Sequence, residues 1–147
     1  MKLNFSMDTA ASAEQVLAAL TDFTEARPDI WPALDQERYE VHELGETWAD
    51  VTEGTLRPNT WAREHYDWSV DGVVAWRATE SNFCKPGSGV TVQIAELPEG
   101  GSHLEIEWDR TASNLRWTLM FLPMRVMGPR MLTKAWQPVF DRLAGTG

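Results

Sequence analysis

Three side chains on neighbouring stretches carry the clearest chemistry in this sequence: Glu64, Tyr66 and Arg77. Asp71-Gly72 suits a two-residue type I′ hairpin, which would pair Val70 with Val73, Trp68 with Ala75, Tyr66 with Arg77 and Glu64 with Thr79. The face with Trp68, Val70, Val73 and Ala75 is the more apolar and is taken as inward, so Glu64, Tyr66 and Arg77 would share it. The opposite face then carries Arg63, His65, Asp67, Trp76 and Glu80, with Arg63 paired to Glu80. A charge on an inward face is paired or used. Arg77 would hold a carboxylate or enolate oxygen while Tyr66 or Glu64 exchanges a proton, the minimum for an aldol-type cyclisation or a dehydration. The plain alternative is an Arg77–Glu64 ion pair at the sheet edge. Arg110, expected in register with Val90, either meets an anionic group or pairs with Asp109 or a neighbouring strand.

Other reactive types are poorly placed. Strand parity sends His42 and His65 outward and leaves His103 beside a turn, so no metal site is expected. Cys84 is the sole cysteine, which excludes an internal disulfide and reads as a small core or loop residue. The sequence lacks H-E-x-x-H, G-x-S-x-G and a glycine-rich phosphate loop, and no cofactor is expected. Gly87-Ser-Gly89 reads as a flexible loop.

The elements that must position these groups follow from periodicity. Leu3, Phe5 and Met7 alternate with polar residues in a half-buried opening strand. Ser12 and Gln15 form a capping box for a helix with Val16, Leu17, Leu20 and Phe23 on one face. Arg27 to Pro32 supports a turn or two of helix, leaving Trp31 at a junction. From Asp35 to Arg110, short strands are broken by turn chemistry at Gly45, Gly54 to Asn59, Asp71-Gly72, Pro86 to Gly89 and Pro98 to Gly101, an antiparallel meander. A three-residue turn centred on Gly45 would pair Tyr39 with Val51 and Val41 with Ala49 and send His42 and Trp48 outward. An odd loop at Pro98 to Gly101 places Val92 and Ile94 on the face of Ile106 and Trp108.

Ser113 to Leu143 reads as one long helix, N-capped by Ser113 and bent by Pro123, Gly128-Pro129 and Pro138. Its apolar stripe is Met124, Met127, Met131, Ala135, Val139 and Leu143, widened by Leu132, Trp136 and Phe140. Walls of Trp68, Val92, Ile94, Ile106 and Trp108 would thus face Met120, Met124, Met127 and Met131, whose flexible thioethers suit an adaptable apolar pocket. The same residues would also make a solid core.

The 147 residues fit one domain, residues 1–147, with ordinary globular composition. No stretch is long and apolar enough for a transmembrane segment, and the N-terminus lacks a signal-peptide h-region, so a cytoplasmic location is expected. Net charge is −9, but from Arg110 onward six Lys/Arg stand against Asp141 alone, leaving the tail at +5 and the remainder at −14. The acidic body argues against nucleic acid as a partner. The basic tail either complements the acidic sheet or meets an anionic ligand or lipid surface.

The element order, the segment Ser12-Ala-Glu-Gln-Val-Leu-Ala-Ala-Leu-Thr-Asp-Phe23, the His42-Glu-Leu-Gly45 turn and the closing helix together resemble the START-like superfamily, which includes polyketide cyclase/dehydrase-like proteins. The resemblance spans nearly the whole chain. It implies an α+β helix-grip fold, about seven antiparallel strands and two short helices around a long C-terminal helix, with a cavity for an apolar ligand between sheet and helix. The expected function is binding of a small hydrophobic or aromatic ligand, lipid-, polyketide- or quinone-like, in which an acidic group is allowed. Candidate ligand-binding residues are Trp68, Val92, Ile94, Ile106, Trp108, Arg110, Met120, Met124, Met127 and Met131. The alternatives are a cyclase or dehydratase using Tyr66, Arg77 and Glu64, and a membrane- or protein-docking module that presents the basic helix. The oligomeric state is left open.

Overall fold

The computed structural model describes residues 1–146. Strand β1 (Lys2–Thr9) leads into helices α1 (Ala13–Thr21) and α2 (Arg27–Ile30) and a single 3₁₀ turn. Strands β2 (Glu40–Leu44), β3 (Trp48–Thr55), β4 (Thr60–Asp67), β5 (Val73–Ser81), β6 (Gly89–Glu96) and β7 (Ser102–Asp109) follow, then α3 (Leu115–Phe121) and α4 (Met124–Thr146). All seven strands join one antiparallel sheet in the order β1-β7-β6-β5-β4-β3-β2. The first strand closes onto the last hairpin, so α1 and α4 lie against the face that the meander buries. No helix among the described residues is long and apolar enough to cross a membrane.

Local chemistry explains the boundaries. The Ser12 hydroxyl accepts from Gln15 N at 3.1 Å, and the Gln15 side chain accepts from Ser12 N at 2.9 Å, the reciprocal cap expected. Gln15 Nε2 also donates to Leu143 O at 2.9 Å, so the cap ties α1 to the end of α4. Ser12→Ala should cost about 1 kcal/mol, a melting-temperature loss of roughly 2–4 °C by thermal circular dichroism.

The shared face of β6 and β7 follows the odd-loop expectation, with the register shifted by two residues: Val92 pairs with Ile106 and Ile94 with Leu104. Arg110 falls beyond the β7 register, since Val90 pairs with Trp108 rather than with Arg110. At Gly45 the expected pairing is displaced by a bulge at His42: Val41 pairs with Val51 and Leu44 with Ala49.

The β4–β5 hairpin departs furthest from expectation. Asp67 Oδ1 accepts from Ser69 N and Ser69 Oγ, at 2.8 and 2.6 Å, which ends β4 early. In the turn closed by Val73 N to Val70 O, at 3.1 Å, only Gly72 adopts positive φ, +73°, so the type I′ turn, which needs it at Asp71 too, does not form. The loop is longer by this local chemistry and β5 slips by one: Tyr66 pairs with Trp76, His65 with Arg77 and Glu64 with Ala78. Every β5 side chain there changes face. A bulge between Arg63 and Glu64 then restores the expected Arg63–Glu80 pair. Val74, Trp76 and Ala78 are buried, whereas Val70 is 62% exposed and Arg77 is exposed.

The expected single C-terminal helix is two. Asn114, not Ser113, caps α3, its side chain accepting from Trp117 N at 3.1 Å, while Ser113 Oγ donates to Asn82 O. The chain breaks at Leu122-Pro123 before α4, and Pro129 and Pro138 stand inside α4. At Gly128 an added Cβ would lie 2.7 Å from Leu3 Cδ1, so glycine permits α4 to approach β1 closely. The face that α4 buries runs through Gly128, Val139 and Phe140, with Leu132 and Trp136 packed on the core.

Candidate ligand cavity

Period-two alternation builds the site from two strands. On β3 the inward residues are Ala49, Val51 and Glu53; on β4 they are Ala62, Glu64 and Tyr66, cross-strand neighbours in the pairs Ala49–Tyr66, Val51–Glu64 and Glu53–Ala62. The shifted β5 adds Trp76 beside Tyr66, their rings stacked at 5.0 Å. Trp31, after α2, meets Trp136 of α4 edge to face at 5.7 Å, and Trp76 and Trp136 lie 6.4 Å apart. Glu53, Ala62, Glu64, Tyr66, Trp76, Trp31 and Trp136, with Leu20, Leu34 and Phe83, line a solvent-open cavity of about 280 Å³. A larger depression, about 410 Å³, lies on the outer sheet face among Asn4, Thr91, Gln93, Glu105 and Glu107. It lacks a buried ionisable group, so the cavity between sheet and α4 is the better candidate.

Two ion pairs enter the cavity wall, one buried on both sides and one partly buried. Arg27, the first residue of α2 and 4% exposed, donates from Nε to Glu53 Oε2 at 2.8 Å and from Nη1 to Leu20 O and Asp22 O at 3.1 and 3.0 Å. Its guanidinium lies 4.4 Å from the Phe23 ring centroid. Tyr66 hydroxyl donates to Glu53 Oε1 and accepts from Arg27 Nη2 at 3.3 Å. Burial and the nearby Glu53 carboxylate push the Tyr66 phenol well above its ordinary pKa, so it remains a neutral donor.

Arg110 forms the second pair. Its Nη2 donates to both Glu64 oxygens, at 3.4 and 3.2 Å, and its Nη1 faces Cys84 Sγ at 3.7 Å. Burial raises the Glu64 pKa, and the Arg110 charge only partly offsets it. Glu64 is thus the carboxylate best placed to exchange a proton, while Tyr66 is held as a hydrogen-bond donor. Two arginines stand against two glutamates, so this wall is polar but without net charge.

No family model and no curated protein matches the chain. Solved structures do. A START superfamily protein from Mycobacterium smegmatis is 14% identical, with a TM-score of 0.77 over 97% of this chain and 98% of that one. The Zhui aromatase/cyclase from a Streptomyces species is 18% identical, TM-score 0.66, over 99% and 87%. Norcoclaurine synthase from Thalictrum flavum is 12% identical, TM-score 0.71, over 100% and 87%. The chain has the START-like helix-grip fold.

Within this START-like fold the residues named from sequence divide clearly. Glu64, Tyr66 and Arg110 line the cavity. Arg77 does not join them: on the outer face its Nη1 donates to Trp76 O and Val90 O at 2.9 and 3.0 Å, and its Nη2 to Thr91 Oγ1 at 2.8 Å. The expected Arg77–Glu64 pair is replaced by Arg110–Glu64. Val92, Ile106 and Trp108 are buried in the core, and Trp68 and Ile94 pack against it, away from the cavity lining. Met124 packs on that core, but Met120, Met127 and Met131 are 42%, 55% and 52% exposed. Leu132 and Trp136 form the inner stripe because α4 is rotated from the expected methionine face.

The histidines sit on the surface: His42 Nε2 lies 2.7 Å from Thr52 Oγ1, His65 stacks on Trp48 at 5.7 Å, and His103 lies between Asp8 and Glu105. The sequence does not mark Arg27, Glu53, Trp31, Trp76 or Trp136 as site residues; Trp76, expected on the outer face, is turned inward by the β5 slip, while Trp136 lies in the expected buried stripe of the last helix. Glu53 was legible, because period two from Ala49 and Val51 points it inward. Arg27 carried no such signal, since its burial depends on where a one-turn helix docks.

Proposed function

We propose that this protein binds a small, neutral, largely aromatic molecule bearing a hydroxyl or carbonyl group in the cavity between sheet and α4. The observation that carries the reading is a cavity lining shared by four aromatic side chains, Trp31, Tyr66, Trp76 and Trp136, and two ion pairs already neutralised within the protein. At about 280 Å³ the space is small for a ligand site and suits one or two rings better than a long acyl chain. A ligand carboxylate would compete with Glu53 and Glu64 for the same guanidinium groups, whereas a hydroxyl or carbonyl joins them. This narrows the expected ligand class and disfavours an acidic group. The fold is shared with an aromatase/cyclase and a norcoclaurine synthase, in keeping with an aromatic occupant.

Buried Glu64 also supports a second reading, proton transfer on that ligand in a cyclisation or dehydration. Native mass spectrometry of fresh protein, then titration with phenols and quinones read through tryptophan fluorescence, tests binding. Saturable quenching is expected, lost in Ala33→Trp, which fills the mouth from an exposed position without disturbing the core. No bound mass and no quenching by any compound would reject the cavity as a site. If turnover is found, Glu64→Gln should abolish it with binding retained; unchanged turnover excludes Glu64 as acid or base.

A further inference from the structure

Among the described residues ten large apolar side chains are exposed, and seven of them lie between Leu115 and Met131 on α3, the Leu122-Pro123 corner and the first turns of α4. Val126 is 84% exposed, Leu115 74% and Leu119 57%, none of which a folded core explains. Arg116, Arg125, Arg130 and Lys134 are interleaved with them, and no acidic residue occurs from Leu115 to Lys134. Among the described residues none of these four cations has a carboxylate at ion-pair distance. On α4, Val126, Arg130 and Lys134 follow at four-residue spacing beside Met127 and Met131, so cations and apolar groups share one outward face.

We infer that this α3–α4 face docks on an anionic lipid surface. The segregation of charge argues for that occupant. A protein of net charge −9 with four cations on one helical corner that has no acidic residue is oriented by a negative surface with the corner forward. Exposed Leu, Val and Met side chains then enter the acyl boundary while Arg and Lys remain at phosphate level. A second copy of the chain is a poorer occupant: pairing this face with itself would set its unpaired cations against one another, and its other exposed large apolar residues, Leu44, Leu56 and Val70, are scattered over the β2, β3–β4 and β4–β5 segments. The inference is independent of the ligand, although Trp136 makes α4 a wall of the cavity as well.

Vesicle co-sedimentation tests it, with phosphatidylcholine alone against phosphatidylcholine containing phosphatidylglycerol, at low and high salt. Binding is expected only to the anionic vesicles and should fall as salt rises. Arg130→Glu/Lys134→Glu should weaken it by ~25-fold or more, at roughly fivefold per cation removed. Leu119→Asp/Val126→Asp should abolish it, while Arg57→Glu, a charge change on the β3–β4 turn, should leave it nearly unchanged. All these positions are exposed, so unaltered circular dichroism and melting temperature establish that the variants fold. Absence of binding at low salt, equal binding to uncharged vesicles, or equal binding by the variants overturns the inference. A dimer in sedimentation velocity that dissociates in the same variants, with no vesicle binding, assigns the face to a second copy and overturns it too.

Discussion

Arg110→Met should destabilise the protein by about 3–5 kcal/mol, because it strands Glu64 as an uncompensated buried carboxylate. The expected melting-temperature loss is roughly 10 °C or more at neutral pH. The pH dependence separates this cause from lost packing. Burial raises the Glu64 pKa in the folded chain, so the native state holds its proton more tightly than the unfolded state. Stability linked to this group is therefore greatest below the ordinary glutamate pKa and declines as pH rises toward the folded value. Removing Arg110 takes away the charge that opposes this shift, so the window widens upward. The variant should recover part of its deficit as pH falls from neutral toward 5, measured by thermal denaturation across pH. Glu64→Met/Arg110→Met should recover most of it at neutral pH, since an apolar pair of similar size needs no desolvated charge. A deficit that is flat with pH and persists in the double variant would mean that the Arg110 stem, not its charge, supports the fold.

Phe140→Ala should cost a similar ~3–5 kcal/mol by deleting a fully buried ring. Phe140 is 0% exposed and meets Trp31 and Trp136 edge to face, at centroid distances of 5.9 and 6.3 Å. Both tryptophans line the cavity, so the vacated volume should also loosen one of its walls. Chemical denaturation with tryptophan fluorescence reads both effects: a lower midpoint and a changed native emission. A midpoint within experimental error of the parent would contradict the tight packing of α4 on the sheet. Phe140→Leu should retain more than half of the stability, because less volume is lost.

These two residues differ in how much of their role sequence revealed. Phe140 belongs to a helical stripe, and any amphipathic helix covering a sheet must bury such a stripe. Which side of a broad stripe faces in was not set by periodicity: Met127 and Met131 are spaced as well as Leu132 and Trp136, yet the first pair is exposed. The decision rests on Gly128, whose missing side chain lets α4 sit against Leu3. Arg110 was legible as a charge near the sheet, but not its partner. A type I′ turn at Asp71-Gly72 would put Arg77 on the face of Glu64, but one residue of slip places Arg77 on the outer face.

Short-range chemistry in the sequence determined the element order, the Ser12–Gln15 cap, the inward positions of Glu64 and Tyr66, the face shared by β6 and β7 and the concentration of cations in the last helices. Each depends on neighbours a few residues apart or on period-two parity that survives from one strand to the next. The cavity was decided by tertiary structure. Its ion pairs join residues 26 and 46 positions apart, and its aromatic wall joins α2, β4, β5 and α4. Such contacts depend on hairpin slip, a bulge and the rotation of a docked helix, each a small local difference that changes which face meets the core.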